Sequence, residues 1–210
     1  MRIEKDFLGE IQIPNRLYYG IQTTRAMHNF NITGYELDHD FVAALGIVKT
    51  AAARANLQTG RMPAQIGGAI AKAAEEVADG KWQDQFVVDC IQGGAGTSMN
   101  MNANEVIANR ALEILGSKKG NYELVSPNNH VDMAQSANDV IPTAIRICTI
   151  RKTRKLLLAM EELADAFNRK GEEFSQILKM GRTHLQDAVP ITLGQEFQAY
   201  AEAIRRSMRR

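Results

Sequence analysis

One stretch of the sequence constrains the fold more than any other, because nothing interrupts a helical pattern between Pro142 and Gly171. A helix of roughly 28 residues, at about 1.5 Å per residue, is a rod of roughly 40 Å. Helices in globular proteins average about 11–12 residues. The pattern therefore predicts a mainly α fold built around a bundle of long helices, whose core we expect other subunits to complete. Apolar residues recur near helical spacing at Ile145, Cys148, Leu156, Leu157, Met160, Leu163 and Phe167.

Shorter helices are predicted on either side of this rod. The periodicity indicates helices over residues 41–59, 63–79 and 104–115, and another from residue 194 onward. On the first of them, the apolar residues Val42, Leu45, Val48 and Ala52 recur near helical spacing. Residues 1–40 are rich in turn-forming residues and predict mostly loop. The last pattern reaches Arg210 without a cap, so we expect this helix to continue in a longer protein.

Charge and composition argue against several classes of partner. The net charge of +1 provides no field for nucleic acid or an anionic membrane, and the basic run at 205–210 has no aromatic platform beside it. No apolar run approaches the roughly 20 residues of a membrane span. Charged residues near the amino terminus argue against an export signal, and two distant cysteines fit a reducing compartment. We therefore expect a cytoplasmic protein that binds neither nucleic acid nor membrane.

Three polar segments between helices contain the residues best suited to chemistry: 92–105, 126–139 and 181–190. Each one alone fits helix caps and turns. The Gly-rich 93–96 run is not a dinucleotide fingerprint, because no strand–turn–helix unit surrounds it. The four histidines lack the spacing of metal ligands, so we expect no metal and no cofactor. Hydroxyls, amides and backbone N–H groups can, however, bind a carboxylate and stabilise an anion that forms in a transition state.

The same three segments resemble the three-part pattern of the aspartase/fumarase superfamily, in the same order along the chain. They read GGAGTSMNMNANEVIANRALE, SPNNHVDMAQSANDVIPTA and KMGRTHLQDAVPITLGQEF. The resemblance implies an L-aspartase-like fold, with a loop-rich helical domain over residues 1–138 and the first part of a long-helix domain over 139–210. It also implies a homotetramer in which several subunits share each active site.

Small differences within the motifs favour the aspartase branch of the superfamily. Ala95, Ser126 and Val189 stand where fumarases usually have Ser, His and Thr. The resemblance therefore implies reversible elimination of ammonia from L-aspartate to give fumarate, by proton removal next to the β-carboxylate. A class II fumarase and a non-catalytic helical fragment are the alternatives.

The resemblance also assigns roles to individual residues. Thr97 and Ser136 would hydrogen-bond the β-carboxylate, while Asn138, Thr183 and His184 would surround the amino group and the other carboxylate. His184 would orient substrate or act as an acid or base. Ala137 departs from the pattern, because most aspartases have Thr there. The family's base, a serine in a G-S-S-x-M-P-x-K-x-N loop, has no counterpart in these 210 residues, so we expect the chain alone to be inactive.

Overall fold

The computed structural model describes residues 1–210 and confirms a mainly α fold with two small β-hairpins. The chain forms two compact units, Met1–Thr149 and Ile150–Arg210. The division falls inside the longest helix, and the predicted domain boundary after residue 138 stays a prediction. The elements are β1 (Arg2–Asp6), β2 (Gly9–Ile13), α1 (Ile21–Asn29), α2 (His39–Gln58), α3 (Ala64–Ala78), α4 (Thr97–Ile114), α5 (Ala137–Glu173), β3 (Leu178–Thr183), β4 (Gln186–Thr192) and α6 (Leu193–Arg209).

The first unit is built on the packing of α2, α3 and α4, with α1 and the β1–β2 hairpin beside them. Its core is mostly aliphatic, and the start of α5 contributes Val140, Ile141 and Ala144. Residues 1–40, predicted as mostly loop, contain both strands of this hairpin and α1. The fully buried side chains of the core include Val42, Leu45, Ile70, Val77, Val106, Ile107 and Leu112.

The amino end of α1 is anchored by two buried carboxylates. Glu105 on α4 accepts hydrogen bonds from the backbone N–H groups of Gly20, Gln22 and Thr23 at 2.7–3.0 Å, and from the Thr23 hydroxyl at 2.7 Å. Glu4 accepts from the N–H of Ile21 at 2.8 Å. Because the first N–H groups of a helix have no partner within it, these carboxylates fix where α1 begins on α4.

Two helices start five or more residues earlier than the sequence pattern predicts. Helix α4 begins at Thr97 rather than Asn104, because its first turns bury amides instead of apolar side chains. Asn102, for example, accepts from the N–H of Val87 at 3.1 Å and donates to the carbonyl of Gln85 at 2.9 Å. Helix α5 begins at Ala137, with Pro142 inside its second turn, where only the Asn138 carbonyl loses its helical donor.

The second unit joins the end of α5 to the β3–β4 hairpin and α6. The segment at 181–190, predicted as a polar loop, is part of this antiparallel hairpin, in which Thr183 pairs with Gln186. Gly171 does not end α5; a Cβ there would lie 2.7 Å from Gln198 Cγ on α6, so its role is close helix packing. The Phe167 and Phe197 rings lie 5.9 Å apart and extend this contact between the helices. Helix α5 has 37 residues, yet none of the helices has an apolar run long enough to cross a membrane.

Candidate functional site

Thr97 is the first residue of α4 and follows three residues in the left-handed conformation. Gly94, Ala95 and Gly96 have φ angles of 87°, 53° and 84°. They turn the chain sharply, so that the exposed Thr97 hydroxyl donates to the Gly94 carbonyl at 2.7 Å. The hydroxyl therefore lies at the surface beside a helix amino terminus, where the backbone dipoles favour negative charge.

Ser136, Ala137 and Asn138 lie at the amino terminus of α5. The Ser136 hydroxyl accepts a hydrogen bond from the N–H of Asn138 at 3.2 Å, so it caps the helix. A hydroxyl that accepts in this way keeps its own proton for a further acceptor. Ser136 and Asn138 are exposed and Ala137 is half-buried. This end of α5 therefore offers a hydroxyl and a side-chain amide to an anion.

The first turns of α4 and α5 are in direct contact at Gly96. A Cβ on Gly96 would lie 2.8 Å from Cγ1 and 3.0 Å from Cγ2 of Ile141, so only glycine fits between the two helices. Ile141 is one turn beyond Ala137, and Gly96 immediately precedes Thr97. This contact joins the first and second predicted segments at the amino termini of their helices.

Thr183 and His184 lie at the tip of the β3–β4 hairpin in the second unit. His184 and Leu185 form its two-residue turn, with φ angles of 49° and 59°, and both side chains are exposed. A turn with both residues left-handed favours Asn-Gly, and each non-glycine residue there costs about 1–2 kcal/mol. The predicted site residues thus divide into Thr97, Ser136, Ala137 and Asn138 in the first unit and Thr183 and His184 in the second.

The apolar spacing on α2 did not reveal the polar residues that this helix buries near the predicted site residues. Val48 and Ala52 are only half-buried, while Lys49, Ala53 and Asn56 are buried. Lys49 Nζ donates to Asp132 Oδ1 at 2.7 Å and to Gln135 Oε1 at 3.0 Å. Burial lowers the pKa of Lys49, and the Asp132 carboxylate opposes that shift. The only indication of these buried polar residues in the sequence was the spacing of Lys49 and Asn56, which are seven residues apart and so lie on one helix face.

The loop before Thr97 is organised by Asp89, a second residue that the sequence analysis missed. Its carboxylate accepts from the Thr33 hydroxyl at 2.7 Å and from the N–H groups of Thr33, Gly34 and Ile91 at 2.6–2.8 Å. These bonds, chiefly that from the Thr33 hydroxyl, hold the pKa of Asp89 well below its usual value. Asp89 therefore fixes the chain that enters the left-handed turn.

No group of three or more His, Cys, Asp or Glu side chains is arranged to hold a metal ion. The three residues by which the sequence analysis favoured the aspartase branch lie in three local settings. Ala95 is in the left-handed turn before α4, and the Ser126 hydroxyl accepts from the N–H of Asn129 at 3.1 Å. Val189 is exposed on β4.

Comparison with known proteins places this arrangement in a family. A family model described as a lyase matches residues 9–210. The chain is 60% identical to the aspartate ammonia-lyase of Bacillus subtilis (strain 168), over 100% of this chain and 44% of that protein. A crystal structure titled fumarate lyase:delta crystallin, from Brucella melitensis, has 50% identity and a TM-score of 0.88, with 99% of this chain and 47% of that one covered.

A recombinant class II fumarase from Schistosoma mansoni has 37% identity and a TM-score of 0.85, with 99% of this chain and 44% of that one covered. The chain thus spans 44–47% of the length of these three proteins. The family model accounts for nearly the whole sequence, and all three of the predicted motifs fall within it. The chain belongs to the lyase family of the aspartase/fumarase superfamily.

Proposed function

We propose that the intact protein containing this chain is an aspartate ammonia-lyase, which converts L-aspartate reversibly to fumarate and ammonia. The observation that carries the proposal is the 60% identity to a named aspartate ammonia-lyase, against 37% to a class II fumarase. Ala95, Ser126 and Val189 support the same choice, since fumarases usually differ at all three positions.

In the proposed reaction a base removes a proton from the carbon next to the β-carboxylate, and the C–N bond then breaks with ammonia as the leaving group. The electron pair left by the proton first spreads into the β-carboxylate, which gains a second negative charge. The pair then forms the C=C bond of fumarate as the C–N pair leaves with the protonated amino group, which departs as ammonia. Ser136 retains a proton that it can donate to that carboxylate, and Thr97 can do so by rotating away from the Gly94 carbonyl. Donors directed at the carboxylate stabilise charge that develops there in the transition state, and of the two hydroxyls only Ser136 has its proton free in this structure.

The amino group and the other carboxylate of the substrate are assigned to Asn138, Thr183 and His184. The exposed Asn138 side chain and the hairpin tip offer an amide, a hydroxyl and an imidazole. A homotetramer with shared active sites, located in the cytoplasm, is part of the same proposal. The base is assigned to a segment outside these 210 residues, so we expect no fumarate from this chain alone.

The proposal is tested by substrate choice. The intact enzyme, incubated separately with L-aspartate and L-malate, is expected to produce fumarate from aspartate, detected by its ultraviolet absorbance, with equimolar ammonia. Rapid dehydration of L-malate with L-aspartate left unchanged would make the protein a fumarase instead. Fumarate from neither substrate would leave only the fold-level assignment.

A further inference from the structure

Residues 131–135, which lead directly into Ser136, are held by buried polar side chains from two helices. From α2, Lys49 binds Asp132 and Gln135, and Asn56 Nδ2 donates to the Met133 carbonyl at 3.0 Å. From α4, Asn100 Nδ2 lies 3.3 and 3.4 Å from the two carboxylate oxygens of Asp132. The Lys49–Asp132–Gln135 cluster therefore connects α2, α4 and the segment before α5.

Burying the charged groups of this cluster costs free energy of desolvation. The Lys49 side chain is 0% exposed, and the Asp132 side chain is 20% exposed. Removing an ion pair from water costs free energy, and the attraction between the two charges often does no more than offset that cost. Apolar residues of similar volume are often as stabilising. A buried polar network whose hydrogen bonds are satisfied does, however, make the surrounding structure more rigid and define its geometry. This favours a role in geometry over a role in stability.

The hydrogen bonds of the cluster restrain residues close to Ser136 and Thr97, whose hydroxyls are assigned to the β-carboxylate. Gln135 Nε2 donates to the carbonyls of Val131 at 2.8 Å and Met133 at 3.2 Å, which fixes the residue next to Ser136. Asn100, which contacts Asp132, is one helical turn beyond Thr97 on α4. One cluster thus restrains both helix starts.

We infer that Lys49, Asp132 and Gln135 are positioning residues, which hold the Ser136 hydroxyl in register with Thr97 for the substrate carboxylate. The inference rests on the proposed function and adds the residues that set the geometry of the site. In this proposal each of the three acts through the loop that ends at Ser136, and none is assigned a contact with the substrate.

A double-mutant cycle in the intact enzyme tests this inference. Gln135→Met removes the hydrogen bonds of residue 135 and leaves Lys49 paired with Asp132, so no buried charge is stranded. If Gln135 acts through Ser136, this change lowers kcat/KM for L-aspartate about 10-fold in the wild type and less than about 2-fold in the Ser136→Ala background. Equal losses in both backgrounds, or no loss in the wild type, would overturn the inference.

Two variants on α2 provide the matched comparison. Lys49→Met and Arg54→Met each remove one cation from the same helix, but Arg54 makes an exposed ion pair with Glu75. Lys49→Met should reproduce the kinetic loss of Gln135→Met, and Arg54→Met should leave kcat/KM within about 2-fold of wild type. A similar loss from both substitutions would contradict a specific role for the cluster.

Hydrogen exchange separates failure of this inference from failure of the proposed function. The N–H groups of Asn138, Asp139 and Val140 donate to Ser136, so Gln135→Met should raise their exchange rates while amides of α3 keep theirs. Suppose these amides exchange faster in Gln135→Met but the wild-type enzyme does not deaminate aspartate. That result would support the positioning role and refute the proposed function. Unchanged exchange in an active enzyme would refute the positioning role alone.

Discussion

Replacing Gly96 with alanine tests the contact between α4 and α5 that joins the two helix starts of the proposed carboxylate site. The left-handed φ of 84° costs an alanine about 1–2 kcal/mol. The added Cβ would lie 2.8 Å from Ile141 Cγ1, and such overpacking costs typically about 1–3 kcal/mol. The free energy of unfolding of the first unit should therefore fall by roughly 2–5 kcal/mol, as measured by denaturant unfolding.

Gly94→Ala is the matched control for this substitution. Gly94 has nearly the same φ, 87°, but a Cβ there would meet only Thr97, at an ordinary 3.8 Å. Its cost should be limited to the backbone strain, about 1–2 kcal/mol. In addition, Ile141→Ala should cost less in the Gly96→Ala background than in the wild type, because it removes the clash. Equal destabilisation by the two glycine substitutions, or additive effects of Gly96→Ala and Ile141→Ala, would refute the packing argument.

Three further predictions address the site and its supports. Ala137→Thr should raise kcat/KM for L-aspartate in the intact enzyme, because a donor to a charged group contributes about 1.5–3 kcal/mol; unchanged or lower activity would mean that the pocket is organised differently. Asp89→Asn should lower the free energy of unfolding at pH 7. The difference in this free energy between wild type and variant should shrink as the pH falls below 3.8, because Asp89, whose pKa is lowered in the fold, stabilises the fold only while its carboxylate is ionised. A difference that does not change with pH in acid unfolding curves would contradict this. Replacing His184-Leu185 with Asn-Gly should stabilise the β3–β4 turn by about 1–2 kcal/mol yet abolish aspartate deamination, whereas a stabilised and fully active variant would exclude His184 from the site.

The sequence predicted the elements whose signals are local and apolar. The long helix was visible because nothing in it breaks the pattern, and the three motifs identified the superfamily before any geometry was known. The end of α4 was also predicted correctly near residue 115, and Gly116 has a φ of 73° just beyond the last turn. Each of these signals depends on a few residues that are close together in the chain, so it can be recognised from the sequence alone.

What the sequence did not predict depends on partners that are distant along the chain. The first turns of α4 looked like a polar loop because Asn100 and Asn102 bury amides against residues elsewhere in the fold. The β3–β4 hairpin looked like a loop because His184-Leu185 is a poor match for a tight turn. No neighbouring residue in the sequence indicated that Lys49 is buried, because its partners, Asp132 and Gln135, lie more than 80 residues away.

The most direct measurement is kcat/KM for L-aspartate in the intact enzyme carrying Thr97→Ala, Ser136→Ala or both. Each hydroxyl is exposed and makes one local hydrogen bond, so neither change should cost more than about 1–2 kcal/mol of stability. If both hydroxyls donate to the carboxylate that gains charge, each single change should lower kcat/KM about 10- to 100-fold, mainly through kcat. The double variant should lose less than the product of the two, because the donors share one acceptor. Activity within about 2-fold of wild type in both single variants would contradict the assignment of these helix starts to the substrate carboxylate.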